Sequence, residues 1–180
     1  MCSIITHPAI PIAVSFFLPR ASVSPKLILI GVICSIIPDL DVVGFHFGVR
    51  YGDMLGHRGF SHSIIFAGSV AALLTITLFR GGEVGRWVIF SFLFASTLSH
   101  GLVDMLTNGG LGVALLAPFD NGRYFFPYRP IEVSPLGIAN FFSRCELEVM
   151  TSELKWVWFP SVIVSLIGYL IRRSGIYQPF

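Results

Sequence analysis

Charged residues are scarce in this chain of 180 residues. Lysine, arginine, aspartate and glutamate together make up 12% of it and leave a net charge of +2, whereas soluble domains average about 25% charged residues. With no basic run and no low-complexity tract, nucleic-acid binding is not expected. Cys2, Cys34 and Cys145 form no CxxC pair, which favours free thiols over disulfides or a cysteine metal site. The N-terminal stretch has no basic segment and contains Pro8 and Pro11, so no cleaved signal peptide is predicted.

Long hydrophobic runs dominate what remains. Hydrophobic residues make up 54% of the chain, and they fall into five segments: residues 4–18, 27–47, 61–79, 87–106 and 156–171. A helix needs about 20 residues to cross a bilayer; the third and fourth segments meet that length, while the first and last are short. The sequence therefore predicts an all-α, polytopic membrane helix bundle with about four to five spans, forming a single membrane domain over residues 1–180.

The connections between segments indicate how the bundle lies in the membrane. One long loop, residues 107–155, separates the fourth and fifth spans, and its many Gly, Pro and aromatic residues favour an ordered loop or short interfacial helices. The short connections on one side of the bundle are rich in basic residues: Arg20, Lys26, Arg80, Arg86, Arg172 and Arg173. The positive-inside rule places that side in the cytoplasm. We therefore expect a multi-pass protein of the plasma (inner) membrane whose N-terminus faces outward.

The same alternation of spans brings polar side chains from four segments to the other, non-cytoplasmic face. Ionisable groups at membrane depth are costly, so a set of them is a functional-site hypothesis. Histidine and aspartate are also side chains that hold catalytic metals. The set consists of His7, Asp39, Asp41, His57, His62, His100 and Asp104.

Two short motifs on predicted helices carry part of this set. His100 and Asp104 are four residues apart, which puts both side chains on one helix face. They suit two ligands of one metal, or a ligand and a carboxylate that orients it, or a purely structural pair. Pro38 disfavours helix before it, so Asp39 and Asp41 either share a cation or cap a helix end that faces water.

The strongest local motif is residues 57–63, His-Arg-Gly-Phe-Ser-His-Ser, in which two histidines flank a small turn that opens a helix. Ser61 is the predicted N-cap, and Arg58 is a candidate donor to a phosphate or carboxylate of the substrate. The alternative is a polar loop with interfacial histidines. In the long loop, Asp120 and Arg129 are further substrate-binding candidates, although Asp120 begins an Asp-Asn-Gly stretch that is typical of a simple turn.

Taken in order, His7, PDLD, HRGFSHS and SHGLVDM resemble the YdjM-type family of membrane-bound, metal-dependent hydrolases, over roughly residues 5–136. The resemblance implies a hydrolytic metal site and carries metal binding onto all seven His and Asp residues. Zinc is the expected metal, with manganese or magnesium as alternatives. A more distant similarity links the chain to zinc-dependent phospholipase C and related single-strand nucleases, which are all-helical enzymes with His and Asp around clustered zinc.

Three functions remain open at this point. The first is a metal-dependent hydrolase of a phosphoester or lipid-like substrate, in which a divalent metal activates water. Seven candidate ligands exceed the three that a catalytic zinc usually takes, so more than one metal is conceivable. The second is a divalent-metal transporter, although the ligands cluster near one face. The third is a membrane scaffold or regulator whose polar cluster only holds helices together. The expected partners are the lipid bilayer and a small-molecule or lipid substrate; the sequence assigns no oligomeric state.

Overall fold

The computed structural model describes residues 3–80, 85–133 and 144–174. Within these ranges the regular structure is helical, with two isolated β-bridges and no strand, which confirms the all-α prediction. The α-helices are α1 (Ala9–Ser15), α2 (Pro25–Cys34), α3 (Ile64–Leu78), α4 (Arg86–Asp104), α5 (Arg144–Glu153) and α6 (Phe159–Arg173). Short 3-10 helices occupy Arg20–Ser22, Ile37–Phe47 and Phe60–His62, and a π-helix, Leu154–Trp158, joins α5 to α6.

Serine side chains set where two of the membrane helices begin. Ser24 accepts a hydrogen bond from the Leu27 amide at 3.1 Å and is followed by a proline, which is favoured in a first helical turn. Ser63 accepts from the Phe66 amide at 3.1 Å. The N-cap of α3 is therefore Ser63, and the prediction of Ser61 was wrong. The Ser61 hydroxyl donates a hydrogen bond to Asp41 instead.

Helix α4 lies at the centre of the bundle and packs against α1, α2 and α3. The main apolar core is formed where α2, α3 and α4 meet: Leu27, Cys34, Ala71, Ile89, Phe92 and Leu93. A second core joins α1, the end of α4, the following loop and the π-helix through Ala9, Val103, Ile131 and Val157. The first core holds the amino-terminal half of α4, and the second holds its carboxyl end, which carries His100 and Asp104.

Three helical stretches are long and apolar enough to cross a membrane: Pro25–Phe47, Arg86–Asp104 and Leu147–Arg173. The last is longer than predicted, since the helix begins well inside the predicted loop. The third hydrophobic segment forms only the 15-residue α3, about 22 Å long at 1.5 Å per residue, and the first forms only the 7-residue α1.

The loop after α4 is also shorter than predicted. Helix α4 ends at Asp104, so the loop begins two residues before the predicted start, and α5 starts at Arg144 and not after residue 155; residues 134–143 of the predicted loop lie outside the described residues. The first part of the loop is tied down by paired backbone bonds between Val113 and Tyr124, both at 2.9 Å. The assignment of one membrane domain to the whole chain stays a prediction.

Most of the predicted cytoplasmic basic residues meet at the bundle end opposite His100. Lys26 donates to the Leu78 carbonyl at 2.6 Å, which joins the start of α2 to the end of α3. Arg172 donates to the carbonyls of Ser15 and Leu18 at 2.8 and 3.0 Å, which joins the end of α6 to the end of α1. The bundle therefore has a basic end and a histidine-aspartate end.

Candidate metal centre

Four chain segments bring the seven candidate ligands to one end of the bundle. Helix α4 presents His100 and Asp104 one turn apart, as the spacing predicts. The chain leaves α-helical geometry after Cys34, and the 3-10 helix that contains Pro38 presents Asp39 and Asp41. The remaining three histidines lie before helices, His7 before α1, and His57 and His62 before α3.

Four of these side chains converge on one point. One ligand atom from each of Asp39, His62, His100 and Asp104 lies within 4.8 Å of all the others, and all four residues are buried. His100 Nε2 is 3.2 Å from Asp39 Oδ1. His62 Nε2 is 3.9 Å from that same oxygen and 3.7 Å from Asp104 Oδ2. We refer to these four residues as the ligand cluster.

The outer nitrogens of both cluster histidines are held by the protein. His100 Nδ1 lies 2.7 Å from the Ser35 carbonyl oxygen. Because a carbonyl only accepts hydrogen bonds, this contact places a proton on Nδ1, so that the neutral ring has its lone pair on Nε2. His62 Nδ1 lies 3.0 Å from Ser61 Oγ and 3.2 Å from Asp41 Oδ2. Both rings therefore direct Nε2 toward the cluster, as in a metal-binding histidine whose second nitrogen is hydrogen bonded.

Whether a metal fits the ligand cluster can be judged from its buried polar atoms that make no hydrogen bond. Within the described part of the chain, His62 Nε2, His100 Nε2 and both carboxylate oxygens of Asp39 are buried and make no hydrogen bond. Native proteins leave few buried polar atoms unsatisfied, so such atoms indicate an ion or water that completes their environment. Two imidazole nitrogens and two carboxylates are a donor set that zinc accepts, so the residues present fit a divalent metal.

A second group, Asp41, His57 and His62, also lies within 4.8 Å of one another. Here Asp41 is already used by the protein: Oδ1 contacts His57 Nδ1 at 2.7 Å, and Oδ2 accepts from Ser61 Oγ at 2.6 Å. His57 Nε2 is buried and has no hydrogen bond among the described residues. The arrangement therefore fits an aspartate that orients two histidines better than it fits a second metal.

His7 lies beside the ligand cluster and belongs to neither converging group. Its ring stacks on that of His100, with ring centres 3.7 Å apart and an angle of 16° between the planes. It is fully buried, and in the described chain neither of its nitrogens has a hydrogen-bond partner. The structure thus brings His7 to the predicted place, where it packs against one ligand face-on.

Arg58, predicted to bind substrate, points into the protein. It is fully buried, and Nε donates to Asp104 Oδ2 at 2.9 Å. Nη2 donates to Thr107 Oγ1 at 2.8 Å, and Nη1 donates to the carbonyls of Gly109 and Leu111. In this arrangement Arg58 orients a cluster carboxylate and fastens the loop that follows α4.

Asp120 and Arg129, the other predicted substrate-binding residues, are exposed at the surface. Asp120 accepts hydrogen bonds from the Tyr124 hydroxyl and the Gly122 amide, and these hold the pKa of its carboxyl below the usual range. The guanidinium of Arg129 lies 4.7 Å from the centre of the Phe125 ring. Neither residue belongs to the buried groups described above, and their role in substrate binding stays a prediction.

Comparison with known proteins agrees with the motifs. Residues 1–176 match the YdjM inner membrane protein family. The chain belongs to this family. It is 40% identical over 177 residues to a protein of Escherichia coli (strain K12) named inner membrane protein YbcI, and the match covers 96% of this chain and 99% of that protein. No solved structure matches the chain significantly.

YdjM-family membership and the apolar helices together make this a multi-pass inner membrane protein. Two contacts around the ligand cluster carry no sequence signal. Ser35 acts through its backbone carbonyl, so its side chain gives no hint of the role. Thr107 accepts a hydrogen bond from Arg58 near the start of the loop, where a threonine is unremarkable. Both contacts join residues that are far apart in sequence, so they become apparent only in the folded structure.

Proposed function

We propose that this YdjM-family protein binds a divalent cation, zinc foremost, through Asp39, His62, His100 and Asp104, and hydrolyses a phosphoester or lipid-like substrate there. The observation that carries the proposal is the convergence of two buried imidazole nitrogens, neither of which makes a hydrogen bond, with two carboxylates. Manganese and magnesium are alternatives, although imidazole nitrogen favours zinc over magnesium.

A metal bound in this cluster would supply a water of lowered pKa and polarise the scissile bond. The chain's own residues prepare the site for this chemistry. Ser35 and Asp41 fix the two cluster histidines, and Arg58 holds the carboxylate of Asp104. His57, whose Nδ1 is held by Asp41, keeps Nε2 without a hydrogen bond among the described residues and is the residue best prepared to accept a proton.

A second candidate function is a membrane scaffold whose metal only fastens the helices. It is favoured by the burial of the cluster, since His100 and Asp104 have no exposed surface and Asp39 is 4% exposed. A structural metal site is closed, whereas a catalytic one keeps a position open to substrate. Hydrolysis and helix fastening therefore share the metal and differ in whether the bound ion meets a substrate.

The first test is metal content, measured by inductively coupled plasma mass spectrometry on detergent-purified protein. We expect stoichiometric zinc in the wild type and its loss in His62→Ala and Asp39→Asn. The matched controls are His46→Ala and Asp120→Asn, because His46 and Asp120 are exposed. Both controls should keep the metal. A well-folded wild type that stays without metal after reconstitution with zinc or manganese would overturn the proposal.

The second test separates the two functions. Metal-loaded and chelator-treated wild type are compared for release of p-nitrophenol from bis(p-nitrophenyl) phosphate, for release of the headgroup from phospholipid vesicles, and for thermal unfolding in detergent. Metal-dependent release that disappears in His57→Ala with metal retained supports hydrolysis. Lower unfolding temperature on chelation, with no release from any substrate, favours the scaffold. Metal uptake into sealed vesicles would favour the transporter instead.

A further inference from the structure

An apolar cavity lies outside the ligand cluster, between the N-terminal turn and the α5–α6 helix. Its volume is about 490 Å³, within the range of roughly 300 to 1,000 Å³ that is usual for small-molecule sites. Apolar side chains form most of its wall: Ile5, Met150, Leu154, Phe159 and Val162. A cavity with such a wall favours an apolar occupant.

The polar groups at the inner end of this cavity are already used within the protein. The Glu153 carboxylate accepts hydrogen bonds from the Ser3 amide, the Ser3 hydroxyl and, at 2.7 Å, the Thr6 hydroxyl. Thr6 Oγ1 in turn accepts from Trp158 Nε1 at 3.1 Å. Since these donors are committed to the protein, recognition in the cavity must come from apolar contact and not from a charged or sugar-like group.

The cavity is placed where bilayer lipid reaches it. It is lined by residues of the span Leu147–Arg173. In the most apolar part of this span only 17% of the residues are buried in the protein, whereas 56% are buried in the corresponding part of α4. Its wall residues are exposed in the isolated chain, with Leu154 60% and Phe159 64% accessible. In a membrane protein such apolar surface meets the hydrocarbon of the bilayer. The hydrocarbon chains of bilayer lipids are therefore expected next to this cavity.

The cavity also adjoins the metal centre through one residue. Thr6 forms part of its wall, and the next residue, His7, stacks on His100 of the ligand cluster at 3.7 Å. The Ser3–Thr6 turn thus lines the cavity and leads directly into the residue that stacks on His100. An occupant of the cavity lies against the segment that carries His7.

We infer that this cavity is a binding site for one hydrocarbon chain of a membrane lipid, held beside the metal centre. The site exists whether or not the metal is bound, because its wall contains no residue of the ligand cluster. A second step rests on the proposed function: the substrate of the hydrolase is then itself a bilayer lipid, bound by its chain and not by its headgroup.

The test uses full-length protein in detergent and a phosphatidylethanolamine that carries a diazirine at the end of one acyl chain. After illumination, cross-links are located by peptide mass spectrometry. We expect saturable labelling of residues 150–162, competed by unlabelled phosphatidylethanolamine but not by glycerophosphoethanolamine. Leu154→Trp, which fills the cavity, should lower labelling roughly tenfold, the effect of losing about 1.4 kcal/mol of binding free energy.

The matched control is Leu166→Trp, because Leu166 is on the same continuous helix and is 56% exposed, close to the value for Leu154, but does not line the cavity. It should label like the wild type. Labelling that does not saturate, that spreads evenly along α6, or that is unchanged in Leu154→Trp would overturn the inference. So would an unlabelled cavity combined with a dimer that Leu154→Trp dissociates, since a second copy would then be the occupant.

Two further measurements keep this inference apart from the proposed function. Leu154→Trp should retain wild-type metal content, and Asp39→Asn, which is expected to lose the metal, should retain wild-type labelling. Labelling without any metal in the wild type would uphold the lipid site and remove the hydrolase. Metal in the wild type without specific labelling would uphold the metal site and overturn the lipid site.

Discussion

At the scale of single residues, Arg58 connects the two halves of the metal centre. Its backbone is left-handed, with φ of 62°, a conformation that is uncommon for residues other than glycine. Its amide donates to Asp41 at 3.3 Å, while its guanidinium donates to Asp104 at 2.9 Å. Arg58 is fully buried and hydrogen bonded to both Asp41 and Asp104. Its role is therefore to position these carboxylates and not to contact a molecule at the protein surface.

We therefore expect Arg58→Lys to weaken both the fold and the metal site. Lysine keeps the charge but cannot reproduce the planar fork that reaches Asp104, Thr107 and two carbonyls at once. Hydrogen bonds to charged groups contribute about 1.5–3 kcal/mol each, so the free energy of unfolding should fall by about 2 kcal/mol or more. Metal affinity should fall about 10- to 100-fold, as when partners of metal ligands are removed.

Thermal unfolding in detergent and metal titration check this prediction. The control is Arg129→Lys, since an exposed arginine over a phenylalanine ring should change stability by no more than about 1 kcal/mol. If Arg58→Lys matched that control in both measurements, the connecting role would be wrong, and substrate binding would again be the better role for Arg58.

The sequence indicated the seven candidate ligands more easily than their separate arrangement. Histidine and aspartate stand out in apolar segments because burying them is costly, and the structure brings all seven to one end of the bundle. It cannot be deduced from spacing that Asp39 points into the ligand cluster while Asp41, two residues later, orients His57. That difference depends on the 3-10 geometry of the segment and on which neighbours reach each oxygen first.

At the scale of helices, close approach of α2 to α4 positions Ser35 against His100. The approach depends on Gly31: a Cβ built there would lie 2.4 Å from Phe92 Cε1 and 3.2 Å from Ser96 Oγ. Small residues at helix contacts allow this closeness in membrane bundles. Helix α2 ends at Cys34, and the carbonyl of the next residue, Ser35, contacts His100 Nδ1, so the packing and the candidate metal site are linked through this helix pair.

Gly31→Ala should therefore destabilise the bundle, although alanine favours helix over glycine by about 1 kcal/mol. Overpacking of a filled core costs about 1–3 kcal/mol, so the unfolding temperature in detergent should fall. The matched control is Gly68→Ala in α3, where the nearest atom to an added Cβ is Phe94 Cε2 at 4.0 Å. That control should be neutral or stabilising. Equal unfolding temperatures for the two variants would contradict this view of the α2–α4 contact.

The helix that the sequence placed least well is the last one. Glu148, Glu153 and Lys155 interrupt its apolar pattern, so the span was predicted to begin after them. The helix runs through these residues because Glu153, only 2% exposed, is hydrogen bonded to Ser3 and Thr6 from a segment 147 residues or more away in sequence. A long-range contact of this kind leaves no periodic pattern in the sequence. Helix α4, by contrast, was predicted to within two residues of its ends, because its polar residues lie on its own buried face.

At the scale of the whole molecule, the bundle has two chemically different ends. One carries the ligand cluster and the loop after α4; the other carries Arg20, Lys26 and Arg172, each hydrogen bonded to a carbonyl at a helix end or within a neighbouring turn. Basic residues concentrate on the cytoplasmic side of membrane proteins. The metal centre is therefore expected at the non-cytoplasmic face, as the sequence predicted from charge alone.

Cysteine labelling in intact cells tests this orientation. In a background with Cys2, Cys34 and Cys145 changed to alanine, Asn121→Cys reports on the histidine-aspartate end, because Arg123, two residues later, donates to the His57 carbonyl at 3.0 Å. Ser174→Cys, just after Arg173, reports on the basic end. A membrane-impermeant maleimide should label Asn121→Cys in intact cells and Ser174→Cys only after permeabilisation.

Full labelling of both variants in permeabilised cells is the control that each cysteine is reactive. The reverse pattern would place the metal centre in the cytoplasm and make the positive-inside argument wrong for this chain. It would leave the ligand cluster and the lipid cavity intact, since both depend on contacts within the bundle, but it would change the substrate pool to lipids and phosphoesters of the inner leaflet. Orientation thus decides which membrane surface would supply a substrate to the proposed hydrolase, and it does so independently of whether the metal binds.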